Sequence, residues 1–191
     1  MLTILSVGKT KTVPVLLSAV TETGETVKRG ITEGEYTALG RPAVGDILDG
    51  EREACLDTMD EAHRAYSAAV RILSFADNTA AALLHKLRAR GFSAAAAEGA
   101  VAAVIRRGYL REEALLERAV LAAARKLWGP RRITEALSAK GFCRADVEAV
   151  LLRLEESGEI DFRESRRRLL DGRLRDEPRE KQRAFLYRYG Y

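Results

Sequence analysis

The sequence predicts a mainly α protein: tandem three-helix repeats, two complete and a third truncated, preceded by a small β-containing N-terminal region. Three observations predict it. One segment returns at a fixed offset of fifty residues, apolar positions recur at helical spacing beyond about residue 49, and the first 31 residues place β-branched side chains between turn signals. The echo is the most specific of the three. Leu87-Arg88-Ala89-Arg90-Gly91-Phe92 reappears as Leu137-Ser138-Ala139-Lys140-Gly141-Phe142. The same register pairs Leu83 with Ile133, Ala95 with Ala145, Glu98 with Glu148, Val101 with Leu151, Val104 with Leu154, Gly108 with Gly158 and Leu110 with Ile160. A constant offset over so many positions marks a repeated supersecondary unit, which buries its apolar face by stacking on its neighbour. A partial third copy closes the chain at Leu186 and Gly190-Tyr191, forty-nine residues after the second.

The elements follow in chain order. Leu2–Ser6, Val13–Ala19 and Thr26–Ile31 read as strands, with Thr21-Glu22-Thr23-Gly24 as a turn between the last two. Pro14 puts its strand at a sheet edge or starts it. Thr32-Glu33-Gly34-Glu35 is a capping box, in which the hydroxyl caps a new helix and the carboxylate reaches back. Gly40, Pro42 and Gly45 end that helix, and a helical pattern resumes from about Asp49 to Phe75, with an interruption expected near Thr58–Glu61. These elements make up a first region, 1–60.

The first repeat, 61–110, opens with the stripe Ala65, Tyr66, Ala69, Ile72 and Leu73. Asp77-Asn78-Thr79 offers cap oxygens for a helix from Ala80 to Arg90, Gly91 supplies the positive φ that closes it, and Ser93 caps a third helix ending at Arg107 and Gly108. The second repeat, 111–158, follows the same plan. A helix over Glu112–Leu127 ends at Gly129, and Pro130 sits at the first position of the next, where its missing N–H costs nothing. Gly141 closes that helix, and a third runs to about Glu156 and Gly158. Cys143, a poor cap, stands where Ser93 stands in the first copy, with Asp146 and Glu148 offsetting the loss through the helix dipole. The third unit, 159–191, has helices over Phe162–Leu170 and Pro178–Tyr189 around a polar loop. Gly91, Phe92, Gly141, Phe142, Gly190 and Tyr191 are thus structural turn residues, and each buried phenylalanine ring is worth about 3–5 kcal/mol.

Composition narrows the function classes. With 47% apolar and 31% charged residues over 191 positions, the chain suits amphipathic helices in one large domain or two small ones. Residues 1–62 carry a net charge of −5 and residues 63–191 a net charge of +9, so the repeats attract nucleic acid or an acidic protein surface. Aromatic residues make up 6%, which leaves few candidates for stacking on bases. No catalytic constellation, cofactor motif or metal-ligand spacing is visible: Cys55, Cys143, His63 and His85 stand apart from any ligand set. Gly8-Lys9-Thr10 lacks the preceding glycine and the following helix of a phosphate-binding loop. The start of the chain leads into Lys9 and Lys11 without a cleavage pattern, and no apolar run approaches a membrane span, so a soluble, cytoplasmic protein without a membrane partner is expected.

The order of the motifs resembles that of the RecX family. It is carried by Ala65-Tyr66, by Leu83, Leu87 and Gly91-Phe92, by Gly108-Tyr109-Leu110, by Gly129 with Arg132-Ile133, Leu137 and Lys140-Gly141-Phe142, and by Lys181-Gln182-Arg183 with Leu186 and Gly190-Tyr191. Leu39-Gly40, Gly45 and Leu48 resemble the N-terminal region of some members. Thr79 and Ala82 depart from the family's Ser-x-x-Glu capping box, Arg111 and Glu112 stand where paired Asp residues are common, and the third unit lacks its last helix. The resemblance implies a non-enzymatic regulator that binds RecA filaments on single-stranded DNA, lies along their groove, and modulates recombinase, ATPase and co-protease activity in DNA repair and the SOS response. A monomer is the favoured state.

The basic residues Arg88, Arg90, Arg106, Arg107, Arg131, Arg132, Lys140, Arg166, Arg167 and Arg168 are the candidates for contacting RecA, or single- or double-stranded DNA. Any one of these clusters is read first as a solvated helix end; the set stands out because the acidic residues concentrate elsewhere. A second reading treats each unit as a helix-turn-helix of a transcription regulator. Against it, the first would-be recognition helix opens Ala94-Ala95-Ala96-Ala97-Glu98, with little to read base edges.

Overall fold

In the computed structural model, which describes residues 1–10 and 13–191, the β-rich start forms an antiparallel sheet of order β3-β2-β1-β4. Its strands are β1 (Leu2–Gly8), β2 (Val15–Thr21), β3 (Thr26–Ile31) and β4 (Ile47–Leu48). Lys11 and Thr12 lie outside the described residues. Pro14 immediately precedes β2, an interior strand of the sheet, so it starts the strand and does not mark an edge. Alternation places Leu2, Ile4, Val15, Leu17, Ala19, Ile31 and Leu48 in one core with Leu39 and Leu56. A register shift between Ile4 and Ser6 interrupts the pairing of β1 with β2, and Leu5 and Val7 are exposed.

The mainly helical remainder contains α1 (Glu33–Ala38), α2 (Gly50–Phe75), α3 (Ala80–Arg88), α4 (Ala94–Arg106), α5 (Glu112–Ala124), α6 (Pro130–Ser138), α7 (Arg144–Glu156), α8 (Phe162–Asp171) and α9 (Arg179–Tyr189). The capping box of α1 forms: Thr32 Oγ1 accepts from the Glu35 N–H, and Glu35 Oε2 accepts from the Thr32 N–H at 2.7 Å. Helix α2 is 26 residues long and continuous, so the interruption expected at Thr58–Glu61 does not occur. The polar residues that suggested a break are used inside the fold. Thr58 donates to the Ala54 carbonyl, and buried Asp60 accepts from the Gly30 N–H of β3 at 2.7 Å while pairing with Arg64 at 2.9 Å.

Two compact units emerge, drawn differently from the regions laid out on the sequence: residues 1–75 with 84–109, and residues 76–83 with 110–191. Helix α2 runs through the boundary expected at residue 60. In the first unit α2 packs on β3 and on α4. In the second, α5, α6 and α7 enclose Leu116, Val120, Ile133, Leu137, Phe142, Val147 and Leu154, and a smaller cluster joins Leu169, Leu174 and Leu186.

Helix α5 ends at Ala124, three residues short of the expected Leu127, and Gly129 does not close it. Leu127 takes the left-handed conformation, with φ 59°, while Gly129 is the extended N-cap of α6. Gly129 serves a tertiary contact. Its N–H donates to the Tyr189 carbonyl at 2.6 Å, and a Cβ there would lie 2.5 Å from the Gly190 carbonyl oxygen. Only two facing glycines let these backbones approach so closely.

Candidate functional site

The basic candidates divide by what their side chains already hold. In the first unit, Arg88 lies in the last turn of α3, Arg90 in the turn that follows, and Arg106 in the last turn of α4, where a cation complements the helix dipole. All three are exposed, and among the described residues their side chains make no hydrogen bond, ion pair or ring contact. Arg107 is committed: its guanidinium lies 4.7 Å from the Tyr66 ring centroid, and Nη1 donates to the Tyr66 hydroxyl at 2.6 Å.

In the second unit, Arg131 and Arg132 sit in the first turn of α6, where the dipole disfavours cations. Their position is explained by α9. Arg131 donates to the Tyr187 carbonyl, and Arg132 Nη1 donates to the Arg188 carbonyl at 3.2 Å. Both are carbonyls of the last turn; that of Tyr187 also accepts from the Gly190 N–H at 3.1 Å, so Arg131 fills its second lone pair. The two guanidiniums also cover rings: Arg131 lies 3.7 Å from the Tyr187 centroid, and Arg132 lies 4.2 Å from Trp128 and 5.1 Å from Tyr189. On α8, Arg167 and Arg168 share the Glu164 carboxylate at 2.8 and 3.2 Å, while exposed Arg166 has no side-chain partner among the described residues. Lys140 is exposed, and its backbone carbonyl accepts from Thr79 Oγ1 at 3.4 Å.

The three turn glycines take the left-handed backbone. Gly91, Gly141 and Gly190 have φ of 87°, 92° and 92°. Phe142 is buried, but Phe92 is half-buried, so the two rings do not carry equal weight. Ser93 caps α4: its hydroxyl accepts from the Ala96 N–H at 3.3 Å and donates to Glu61 at 2.7 Å. Hydrogen bonds from the Ser93 backbone and hydroxyl hold the Glu61 carboxyl below its ordinary value. Cys143, at the matching place, makes no side-chain cap bond.

His63 does have a partner. Its Nε2 lies 2.9 Å from Glu35 Oε2. Burial pushes the Glu35 carboxyl up, but hydrogen bonds from the Thr32 backbone and hydroxyl and from His63 outweigh it, leaving the carboxyl below its ordinary value. Cys55 and Cys143 are exposed free thiols, and among the described residues no group of three His, Cys, Asp or Glu could hold a metal ion. Among the same residues no helix is long and apolar enough to cross a membrane.

One cluster escaped the sequence reading. Beside α9, Lys126 lies 5.4 Å from Trp128, Phe185 and Tyr189 stack at 4.4 Å, and Arg173 and Arg188 lie 5.9 and 5.7 Å from Phe185. A 6% aromatic content suggested few stacking candidates, yet the fold gathers Trp128, Phe185, Tyr187 and Tyr189 beside five cations. The available signal was the alternation Phe185-Leu186-Tyr187-Arg188-Tyr189, which composition alone hides.

No protein-family model matches the chain. Similar proteins nonetheless share one name. The regulatory protein RecX of Ectopseudomonas mendocina is 35% identical over 130 residues, covering 65% of this chain and 84% of the relative. That of Pseudomonas fluorescens strain SBW25 is 33% identical over 138 residues, covering 71% and 87%. Among solved structures, a crystal structure of regulatory protein RecX superposes with a TM-score of 0.72 over 100% of this chain and 95% of the other at 20% identity. RecX from Lactobacillus salivarius gives 0.58 over 69% and 89% at 21% identity. The structural likeness shows the fold and the sequence likeness shows the kinship: this chain belongs to the RecX family of regulatory proteins.

Proposed function

We propose that the protein is a non-enzymatic regulator that binds the RecA filament on single-stranded DNA and restrains its recombinase, ATPase and co-protease activities. The observation that carries this reading is the division among the arginines. Arg88, Arg90, Arg106 and Arg166 are exposed and unspent among the described residues, on helices, or for Arg90 the turn after one, whose opposite faces are buried. Unpaired surface arginines keep their full capacity for bidentate bonds to carboxylates or phosphates. Unspent arginines on both units suit a long periodic partner, on which individually weak sites add through effective concentration.

Titrating the protein into RecA on single-stranded DNA while following ATP hydrolysis tests the reading. Suppression below one regulator per RecA is expected. Arg88→Glu with Arg90→Glu, and separately Arg166→Glu, should weaken filament binding at least roughly tenfold per cluster, with the thermal melt unchanged. Reversing Arg167 or Arg168 is a less clean test, because it sets like charge against Glu164. Unaltered ATP hydrolysis at saturating protein, together with sequence-specific duplex binding, would replace this reading with the helix-turn-helix one.

A further inference from the structure

The aromatic–cation cluster of the second unit is larger than a helix staple needs. Arg131 and Arg132 already tie the end of α9 through its carbonyls. Lys126, Arg173 and Arg188 add three more positive charges, and they approach rings. Among the described residues the nearest carboxylate to any of the five cations is Glu135, 4.0 Å from Arg131. Arg131 is paired there, while Lys126, Arg132, Arg173 and Arg188 have no carboxylate within that distance among the same residues; cations grouped on one surface without carboxylates repel one another, and the arrangement is stabilised when an anion joins them. The rings specify the kind of anion. Tyr187 is 65% exposed although Arg131 lies on its ring, and Trp128, Phe185 and Tyr189 are half-buried. A groove of about 340 Å³ beside Phe185 is lined by Arg173, Lys181 and Arg188; its Glu177 is paired with Lys181 at 3.3 Å. Rings interleaved with guanidiniums are the arrangement on which unpaired bases stack while phosphates meet the cations. Bases held inside a duplex have no free face to offer such rings.

We propose that the surface formed by the Trp128 turn and the C-terminal part of α9 is a binding site for single-stranded nucleic acid, with Tyr187 as the outer stacking platform and Lys126, Arg173 and Arg188 as phosphate contacts. The site works without RecA and shares no residue with the set Arg88, Arg90, Arg106 and Arg166.

Trp128 is the sole tryptophan, so its fluorescence reports directly on the site. The full chain is titrated, without RecA, with an oligothymidylate of about twenty nucleotides, which spans one such site. Saturable quenching that weakens linearly in log salt is expected. Tyr187→Ala should weaken binding roughly 5- to 100-fold. Lys126→Gln with Arg173→Gln, both at exposed positions, should flatten the log–log salt slope by roughly 1.4. Thermal melts check that each variant folds; if Tyr187→Ala does not, the Lys126/Arg173 pair decides through its salt slope. Three results each overturn the proposal: no quenching and no mobility shift, tighter binding to a duplex of equal length, or heparin binding as tightly as the oligonucleotide with Tyr187→Ala unaffected. Because RecA is absent, failure here leaves the RecA reading standing, and failure of RecA inhibition leaves this site standing.

Discussion

At Gly91-Phe92 the ring is half-buried and the space around the glycine is open, whereas at Gly141-Phe142 the ring is 7% exposed and an added Cβ would meet Thr79 Oγ1 at 3.0 Å. The backbones of the two turns are nearly the same. Phe92 N–H bonds to the Leu87 carbonyl and Phe142 N–H to the Leu137 carbonyl, at 3.4 and 3.2 Å. The flanking helices α3 and α6 have nine residues each, and α4 and α7 have thirteen each. Local sequence therefore sets the same bend twice, and the neighbours set what each bend is worth. Their caps diverge too: Ser93 uses its hydroxyl as both donor and acceptor, while Cys143 caps nothing.

The largest expected effect uses the rings. Phe142→Ala should cost about 3–5 kcal/mol by denaturant unfolding, and Phe92→Ala about half that, since much of its surface is already wet. Equal losses would mean that the exposure difference does not govern the energetics. Next come the glycines. Gly190→Ala should cost about 2–4 kcal/mol, because a left-handed residue would also drive its Cβ into the backbone of Arg132. Gly91→Ala, with nothing within 4 Å of the added carbon, should cost only the conformational strain of about 1–2 kcal/mol. Gly141→Ala should fall between them, as Thr79 must move.

The caps give a smaller contrast of opposite sign. Ser93→Ala should lose about 1 kcal/mol, and Cys143→Ser should gain about 0.5–1 kcal/mol if the new hydroxyl reaches the N–H of Asp146. Thermal melts of the two variants measure both, and a Cys143→Ser variant no more stable than the parent would show that α7 has no use for a cap.

The smallest expected effect is pH-dependent. Glu35 sits below its ordinary pKa of 4.5 in the folded chain, so the unfolded chain binds the proton more readily. The stability it supplies is complete above that ordinary value and is lost as pH falls through the lower folded one. Glu35→Gln should accordingly flatten the acid limb of the melting-temperature profile below about pH 4.5 and leave the neutral limb parallel. An acid limb as steep as the parent's would place the linkage on other carboxylates.

Much of this was legible in the sequence. The ends of β3, α7 and α8 fall within a residue of where spacing and caps put them, and the capping box at Thr32 forms as its residue types require. These features depend on hydrogen bonds and steric preferences spanning a few residues, which a short segment carries with it. Helix α2 was misread because Thr58 and Asp60 look like a break until their partners, Ala54 and Gly30, are known.

Among the ten basic candidates the sequence had no means of ranking. An arginine has the same chemistry whether it caps a distant helix, as Arg131 and Arg132 do, lies on a tyrosine, as Arg107 does, or reaches into solvent, as Arg88 does. The sequence by itself determined the helical class, the fifty-residue echo of the turns and the kinship those turns carry, because each is written in local spacing. Only the tertiary structure decided that Gly129 faces Gly190, that Phe142 is buried more deeply than Phe92, and that aromatic residues scattered from Trp128 to Tyr189 gather with cations into one surface. The physical reason is that close approach, burial and charge compensation depend on neighbours far away along the chain, and no local pattern specifies which neighbours those are.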